Sequence, residues 1–192
     1  MPEWEEVVLG NIAVIKQGKA LATKAMTGGD HPVFGANGII GWFTEGHYGF
    51  PVVALGCRGS CGTVNLAPPG SFLANNVMGV WPAAPGRATV GFLALLLGAS
   101  DLRSQGVISG QVQEQITRTS LAPFKFLLPP LDEQRRIVDL IDAVDAEVRA
   151  LRATSAAAWL AIRALLAGHE MEVDGEATEL GSLLSATIGG VW

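Results

Sequence analysis

Nine positions near the end of the chain, Ile137, Ile141, Val144, Val148, Leu151, Ser155, Ala158, Ile162 and Leu165, follow one another at alternating steps of four and three. An α-helix completes a turn in about 3.6 residues, so such steps draw one stripe along a helix, and a stripe kept for several heptads is a coiled-coil seam. Pro129 and Pro130 end whatever precedes the stripe, and Gly168 stands where a helix would be capped. The spacing therefore predicts a single helix over residues 131–167, roughly 54 Å long and about three times the usual globular length. A small domain cannot cover that much apolar surface. The large members of the stripe, Ile137, Ile141, Val144, Val148, Leu151, Ile162 and Leu165, are expected to pair with another helix, from a second chain or from further sequence.

Ahead of the prolines the pattern is different. From Trp4 to about Pro82 short apolar runs alternate with Gly, Pro and Asn, and the runs Ile12 to Ile15, Val52 to Leu55, Thr63 to Leu66 and Val77 to Trp81 read as strands joined by tight turns. Thr89 to Gly98 is Leu/Ala-rich, which favours a buried helix, and Phe124 to Leu128 reads as a last strand. The expected fold class is α+β: a small, mixed, mostly β domain over residues 1–130, then one long coiled-coil-forming helix. Residues 168–192 hold an acidic, solvated stretch from His169 to Glu179 and a faint echo of the opening, because Leu180-Gly181-Ser182-Leu183 aligns with Leu9-Gly10-Asn11-Ile12 and Gly189 with Gly18. That echo reads as the start of a possible second repeat.

Charge and composition narrow the function. The net charge of −5 argues against a polyanionic partner until its distribution is examined. Residues 1–129 carry eight Lys/Arg against seven Asp/Glu, whereas residues 130–192 carry five against eleven. The acidity belongs to the tail, and the first segment is free to present a basic face. No apolar run reaches the length of a membrane span, the longest being Ala88 to Ala99, and the acidic opening lacks a secretory signal, so a cytoplasmic location without membrane contact is expected. Cys57 and Cys61 have no second cysteine or histidine pair to complete a zinc shell and read as reduced.

Catalytic patterns are missing. Gln17-Gly18-Lys19-Ala20 lacks the spacing and the hydroxyl of a phosphate-binding P-loop, and His31, His47 and His169 are scattered. There is no Gly-x-Ser-x-Gly, HExxH or Gly-x-Gly-x-x-Gly, and no acidic pair with a following lysine suited to a nuclease metal site. The chain is expected to have no catalytic residue, no metal and no cofactor of its own.

Four stretches together resemble the specificity subunit of type I restriction-modification enzymes. They are Trp4 with Val7-Val8-Leu9-Gly10-Asn11-Ile12; Phe34-Gly35-Ala36-Asn37-Gly38-Ile39-Ile40-Gly41-Trp42; Gly56-Cys57-Arg58-Gly59-Ser60-Cys61-Gly62; and Leu128-Pro129-Pro130-Leu131-Asp132-Glu133-Gln134-Arg135-Arg136-Ile137. The last is the most specific, since the family marks the junction of recognition domain and spacer helix in this way. The resemblance implies a domain that reads one half of a split target in double-stranded DNA, and a helix that holds two such domains a fixed distance apart. It also implies methyltransferase subunits docked on that framework, with the restriction subunit attached indirectly. Family members usually carry two recognition domains and two antiparallel spacer helices. One of each here implies a half-length subunit that forms a homodimer through the helix, or a piece of a longer protein.

With that resemblance, particular residues become candidates for DNA contact. Lys16, Lys19 and Lys24 suit phosphates, and so do the glycine-flanked turns around Asn37 and around Arg58 and Ser60, where a guanidinium and a hydroxyl also suit guanine. Asn75 and Asn76 sit between apolar residues and either read adenine edges or bond to local backbone. Gln111, Gln113 and Arg118 lie in an amide-rich stretch suited to base contact, or to a solvated loop face. The competing reading is a non-catalytic coiled-coil scaffold that never touches DNA.

Overall fold

The computed structural model describes residues 4–26, 28–110, 113–166, 170–173 and 176–179, with side chains described as far as residue 164. In chain order the elements are β1 (Glu5–Val8), α1 (Leu9–Ile12), β2 (Ala13–Gln17), β3 (His31–Gly35), β4 (Gly38–Phe43), β5 (Val52–Gly56), β6 (Val64–Ala67), β7 (Phe72–Leu73) and β8 (Val77–Pro82). They are followed by α2 (Val90–Ala99), β9 (Ile108–Ser109), β10 (Gln115–Ile116), α3 (Arg118–Leu121), β11 (Lys125–Leu128), α4 (Leu131–Leu166), β12 (Glu170–Val173) and β13 (Glu176–Glu179). The expected class is the one observed, a mostly-strand domain followed by one long helix. The chain divides into two compact units, Met1–Asp139 and Leu140–Trp192.

The first unit is organised by a four-stranded antiparallel sheet in the order β2-β8-β5-β6. Its central strand β5 is buried along its whole length. Side chains alternate across a strand, so Val53 and Leu55 enter a larger core with Ile15, Met78, Val80, Phe92 and Leu97, while Val52 and Ala54 enter a smaller one with Phe34, Leu73 and Val77. Burial on both faces explains why this strand reads as an unbroken apolar run. Helix α2 closes the larger core with Phe92, Leu93 and Leu97, and the Thr89 hydroxyl caps it by accepting from Phe92 N at 3.2 Å.

The smaller core is roofed by a three-stranded sheet, β4-β3-β7, in which β3 and β4 form an antiparallel hairpin and β7 runs parallel to β3. Strands β1 and β11 pair antiparallel, Glu5 opposite Leu128, which brings the chain's opening against the approach to the prolines. Between β1 and β2 the run from Ile12 to Ile15 differs from expectation. Leu9–Ile12 is one helical turn and the strand begins at Ala13, because Leu9 N and Gly10 N donate to Phe124 O and Ala122 O, not to a sheet neighbour.

Helix α4 starts inside this unit. Gln134 is fully buried, accepting from Thr89 N at 2.8 Å through Oε1 and donating from Nε2 to Arg87 O and Pro129 O at 3.1 and 2.9 Å. One amide thus satisfies the entry of α2 and the chain that leads into α4. Ile137 and Val138 pack half-buried on the larger core, so Ile137, expected at the head of the pairing seam, is instead used by its own domain.

In the second unit α4 continues from Leu140 to Leu166, and every side chain from Asp139 to Ala164 is exposed. Ile141, Val144, Val148, Leu151 and Ile162 of the seam are among them, together with Leu140, Trp159 and Leu160. Leu165 lies in the helix, but its side chain is outside the described residues. The stretch expected as a solvated linker contains a hairpin, β12 against β13, with Glu170 opposite Glu179. The second-repeat alignment at 180–189 falls outside the described residues. Among the described residues no helix is long and apolar enough to cross a membrane.

Candidate nucleic-acid interface

Cys57 is the hub of the candidate site. It is buried and carries no side-chain chemistry of note, its thiol being pushed up by desolvation. Its backbone, however, joins three loops. Cys57 N donates to Asn76 O at 2.9 Å, and Cys57 O accepts from Ile116 N at 3.0 Å. The next residue, Arg58, makes an isolated antiparallel bridge with Gln115. Gly59 follows at φ 77°, a left-handed turn that a residue with a Cβ would resist. A fourth loop closes in at Gly56, where a Cβ would lie 2.3 Å from Ser60 O and 3.2 Å from the Ala36 side chain beside Asn37. Only glycine allows that approach.

The outcome is that residues distant in sequence line one open cleft of about 470 Å³: Arg58 and Gly59 from one loop, Gln113, Glu114 and Gln115 from another. Asn37 is exposed on the β3–β4 turn, next to Ala36, and Ser60 is half-buried in the Arg58 turn. Asn75 and Asn76 form the turn between β7 and β8. They are not core amides: Asn75 is exposed, Asn76 half-buried, and Asn75 O accepts from Gln17 Nε2 at 2.6 Å. Gln111 lies outside the described residues.

Glu114 would cancel the positive charge of this cleft if it were unopposed. Arg103 holds it by a two-pronged ion pair, one prong being Nη2 to Oε2 at 2.6 Å, which keeps the carboxyl below its usual range and the guanidinium above its own. Cys61 Sγ donates to Glu114 O at 3.1 Å, and its thiol is pushed up by desolvation and by the Glu114 charge. Arg87, Arg135 and Arg136 are also paired with carboxylates, whereas Arg58 has no such partner among the described residues. Its charge stays available at the cleft.

The lysines divide. Lys19 is tied to the loop cluster through Lys19 N donating to Leu73 O and a bridge to Ala74, and its Nζ lies 3.4 Å from His47 Nε2. The His47 ring lies on Phe72, centroids 4.1 Å apart, and its pKa is lowered by desolvation, then by the charges of Lys19 and Lys16, with Glu45 opposing. Lys19 and His47 therefore meet beside the cluster, with the Lys16 charge acting on the same ring. Lys24, in the short 3-10 turn Thr23–Ala25, and Arg118, at the start of α3, are exposed; no side-chain hydrogen bond or ion pair among the described residues ties either to the cleft.

Sequence reasoning passed over Gln17, His47, Arg103, Glu114 and Gln115. Only Gln115 left a signal, as one more amide in a stretch already rich in them. Among the described residues no group of three metal-ligating side chains comes together.

The family model described as the type I restriction modification DNA specificity domain matches residues 1–156. In structure the chain is similar to the S subunit of a type I restriction-modification system from M. genitalium, with a TM-score of 0.67 and 18% identity over 86% of this chain and 44% of that one. It is similar to a chain from a structure titled for the complex assembly and conformational transition of the type I R-M system, with a TM-score of 0.67, 24% identity and the same coverage. It is also similar to the HsdS subunit from Thermoanaerobacter tengcongensis, with a TM-score of 0.59 and 24% identity over 80% of this chain and 40% of that one. At these identities the likeness is one of fold, and this chain spans less than half the length of each solved relative. No curated protein matches it. With the family model running from the first strand into α4, and the fold shared along that length, the chain belongs to the type I restriction-modification DNA specificity family.

Proposed function

We propose that this chain is the sequence-reading component of a type I restriction-modification system, and that it reads one half of a bipartite target in double-stranded DNA. It has no catalytic role of its own. The observation that carries the reading is the gathering of Arg58, Gln113 and Gln115 from separate loops into one open cleft, in a unit that also brings Lys19 and His47 together, with the Lys16 charge acting on the His47 ring. Guanidinium and amide groups suit base edges, and the ammonium groups suit phosphates. The exposed seam of α4 supplies pairing with a second copy and a docking surface for methyltransferase subunits, through which the restriction subunit is held indirectly. A cytoplasmic place of action follows from that role.

Duplex binding measured by fluorescence anisotropy across a salt series tests this. Counterion release makes log affinity fall with log salt by roughly 0.9 for each phosphate neutralised. The wild-type chain is expected to show that slope, and Arg58→Ala to bind about tenfold more weakly with its fold intact. Absence of salt-sensitive binding returns the chain to the scaffold reading. Replacing Gln113 and Arg118 separates base from phosphate contact, because loss of a base contact lowers specific binding and leaves non-specific binding in place.

A further inference from the structure

We propose that Arg58 and Gln115 act as a pair that reads two adjacent base pairs, Arg58 a guanine and Gln115 an adenine, so that the half-target of this chain contains a guanine and an adenine at neighbouring positions. The inference rests on the DNA-reading function proposed above and deepens it.

Residues opposite each other in an antiparallel bridge put their side chains on the same face, with Cβ atoms about 5 Å apart. Arg58 and Gln115 are such a pair, both are exposed, and both line the same cleft. Successive base pairs are separated by about 3.4 Å along each strand. Two long side chains rooted about 5 Å apart therefore reach neighbouring steps more readily than one shared base or two distant ones. The chemistry then assigns the bases. A guanidinium forks onto the O6 and N7 acceptors of guanine, and a carboxamide matches the N6 donor and N7 acceptor of adenine.

The pair is also held in place. The hydrogen bonds from Ile116 N to Cys57 O and from Cys57 N to Asn76 O anchor the backbone at the residue beside Arg58. The nearest carboxylate of the cleft, Glu114, is occupied by Arg103. Gln113, in contrast, sits in a bend outside any strand. Gln115 thus replaces Gln113 as the principal amide reader.

The test is selection of binding sites by the full 192-residue chain from a duplex library randomised over the target, repeated with Arg58→Gln and Gln115→Glu. Both substitutions are at exposed positions, and matched thermal melts establish that the variants fold. The wild-type chain is expected to enrich a site with guanine and adenine in adjacent base pairs. Gln115→Glu, which can accept from the cytosine amino group, should change preference at the adenine position alone by about tenfold. Arg58→Gln should do the same at the guanine position alone. Affected positions that are not adjacent overturn the inference, as does a wild-type site without that purine pair, or a substitution that weakens all sequences equally. Salt-sensitive binding with no enriched site overturns it while leaving DNA contact intact, and no binding at low salt overturns the DNA-reading function as well.

Discussion

The two compact units treat apolar side chains in opposite ways. In the first, β5 is buried on both faces, the two cores around it are closed by α2 and by the β4-β3-β7 sheet, and even Ile137 and Val138 of α4 are drawn in. In the second, α4 carries Leu140, Val144, Leu151 and Leu160 between 51% and 67% exposed. Burying a large apolar side chain is worth roughly 1.5–3 kcal/mol, so the first unit holds its stabilisation internally while the second leaves its own to be realised against another surface. The lesson is that the apolar surface that stabilises the domain and the apolar surface left exposed are separate here, and that the boundary falls within a single helix, near Asp139.

The strongest challenge to that separation is Val144→Asp with Leu151→Asp. If α4 pairs with a second copy, each aspartate places a carboxylate in the seam, and the dissociation constant should rise at least about a hundredfold, read by sedimentation or light scattering. The melting temperature of the first unit should not move, since neither residue enters its cores. A domain that melts together with the lost dimer would mean that the first unit is not self-sufficient. If α4 does pair with a second copy, charge would set the direction. A parallel pair would lay the acidic run of Asp139, Asp142, Asp145 and Glu147 beside its own copy, while an antiparallel pair brings it towards Arg149, Arg152 and Arg163. Each exposed pair contributes little, so in such a dimer charge would select the direction and the seam would supply the affinity.

Gln134→Leu probes the same boundary from the inside. The variant keeps an apolar side chain of similar size but leaves Thr89 N and the carbonyls of Arg87 and Pro129 without their partner. A loss of about 3 kcal/mol is expected in urea denaturation, because unsatisfied buried groups carry their full desolvation cost. Self-association per folded molecule should be unchanged. A variant of wild-type stability would show that the amide is not what joins the start of α4 to the domain.

Legibility followed the same division. The helix could be read almost to the residue, Leu131–Leu166 against 131–167, because a seven-residue period and two prolines are local signals. So could β5, β8 and α2, whose apolar runs are long for their elements. What could not be read was which loops meet. The Arg58–Gln115 bridge spans residues far apart in sequence and depends on Cys57 holding both loops by its backbone, which no side-chain pattern records. Ile137 fits the seam by spacing, and only the tertiary structure shows it packed, half-buried, against the core. The pairing of Glu170–Val173 with Glu176–Glu179 was hidden by the acidic composition of those residues.

The smallest effect expected concerns His47, and it refines the comparison because it sets stability and binding against each other within the first unit. In the free chain its pKa is lowered, first by desolvation and then by the charges of Lys19 and Lys16, against Glu45. The unfolded chain, with an ordinary imidazole, binds more protons just below 6.5, the ordinary imidazole value, than the folded one does. Stability must therefore rise with pH through that window and decline as pH falls through 6.5 towards the folded value. A DNA phosphate seated on Lys16 and Lys19 would offset the part of the lowering that comes from those charges and raise the His47 pKa, so binding takes up a proton and strengthens over the same fall in pH. His47→Gln should remove both slopes at once, since it keeps a polar side chain but cannot titrate. Thermal melts and anisotropy at pH 7.5 and about 5.5, below the ordinary imidazole value, read the two slopes independently. Binding that weakens on acidification in the wild-type chain, or a binding slope that survives in His47→Gln, would place the phosphate away from Lys16 and Lys19, whereas a surviving stability slope would assign that slope to another group.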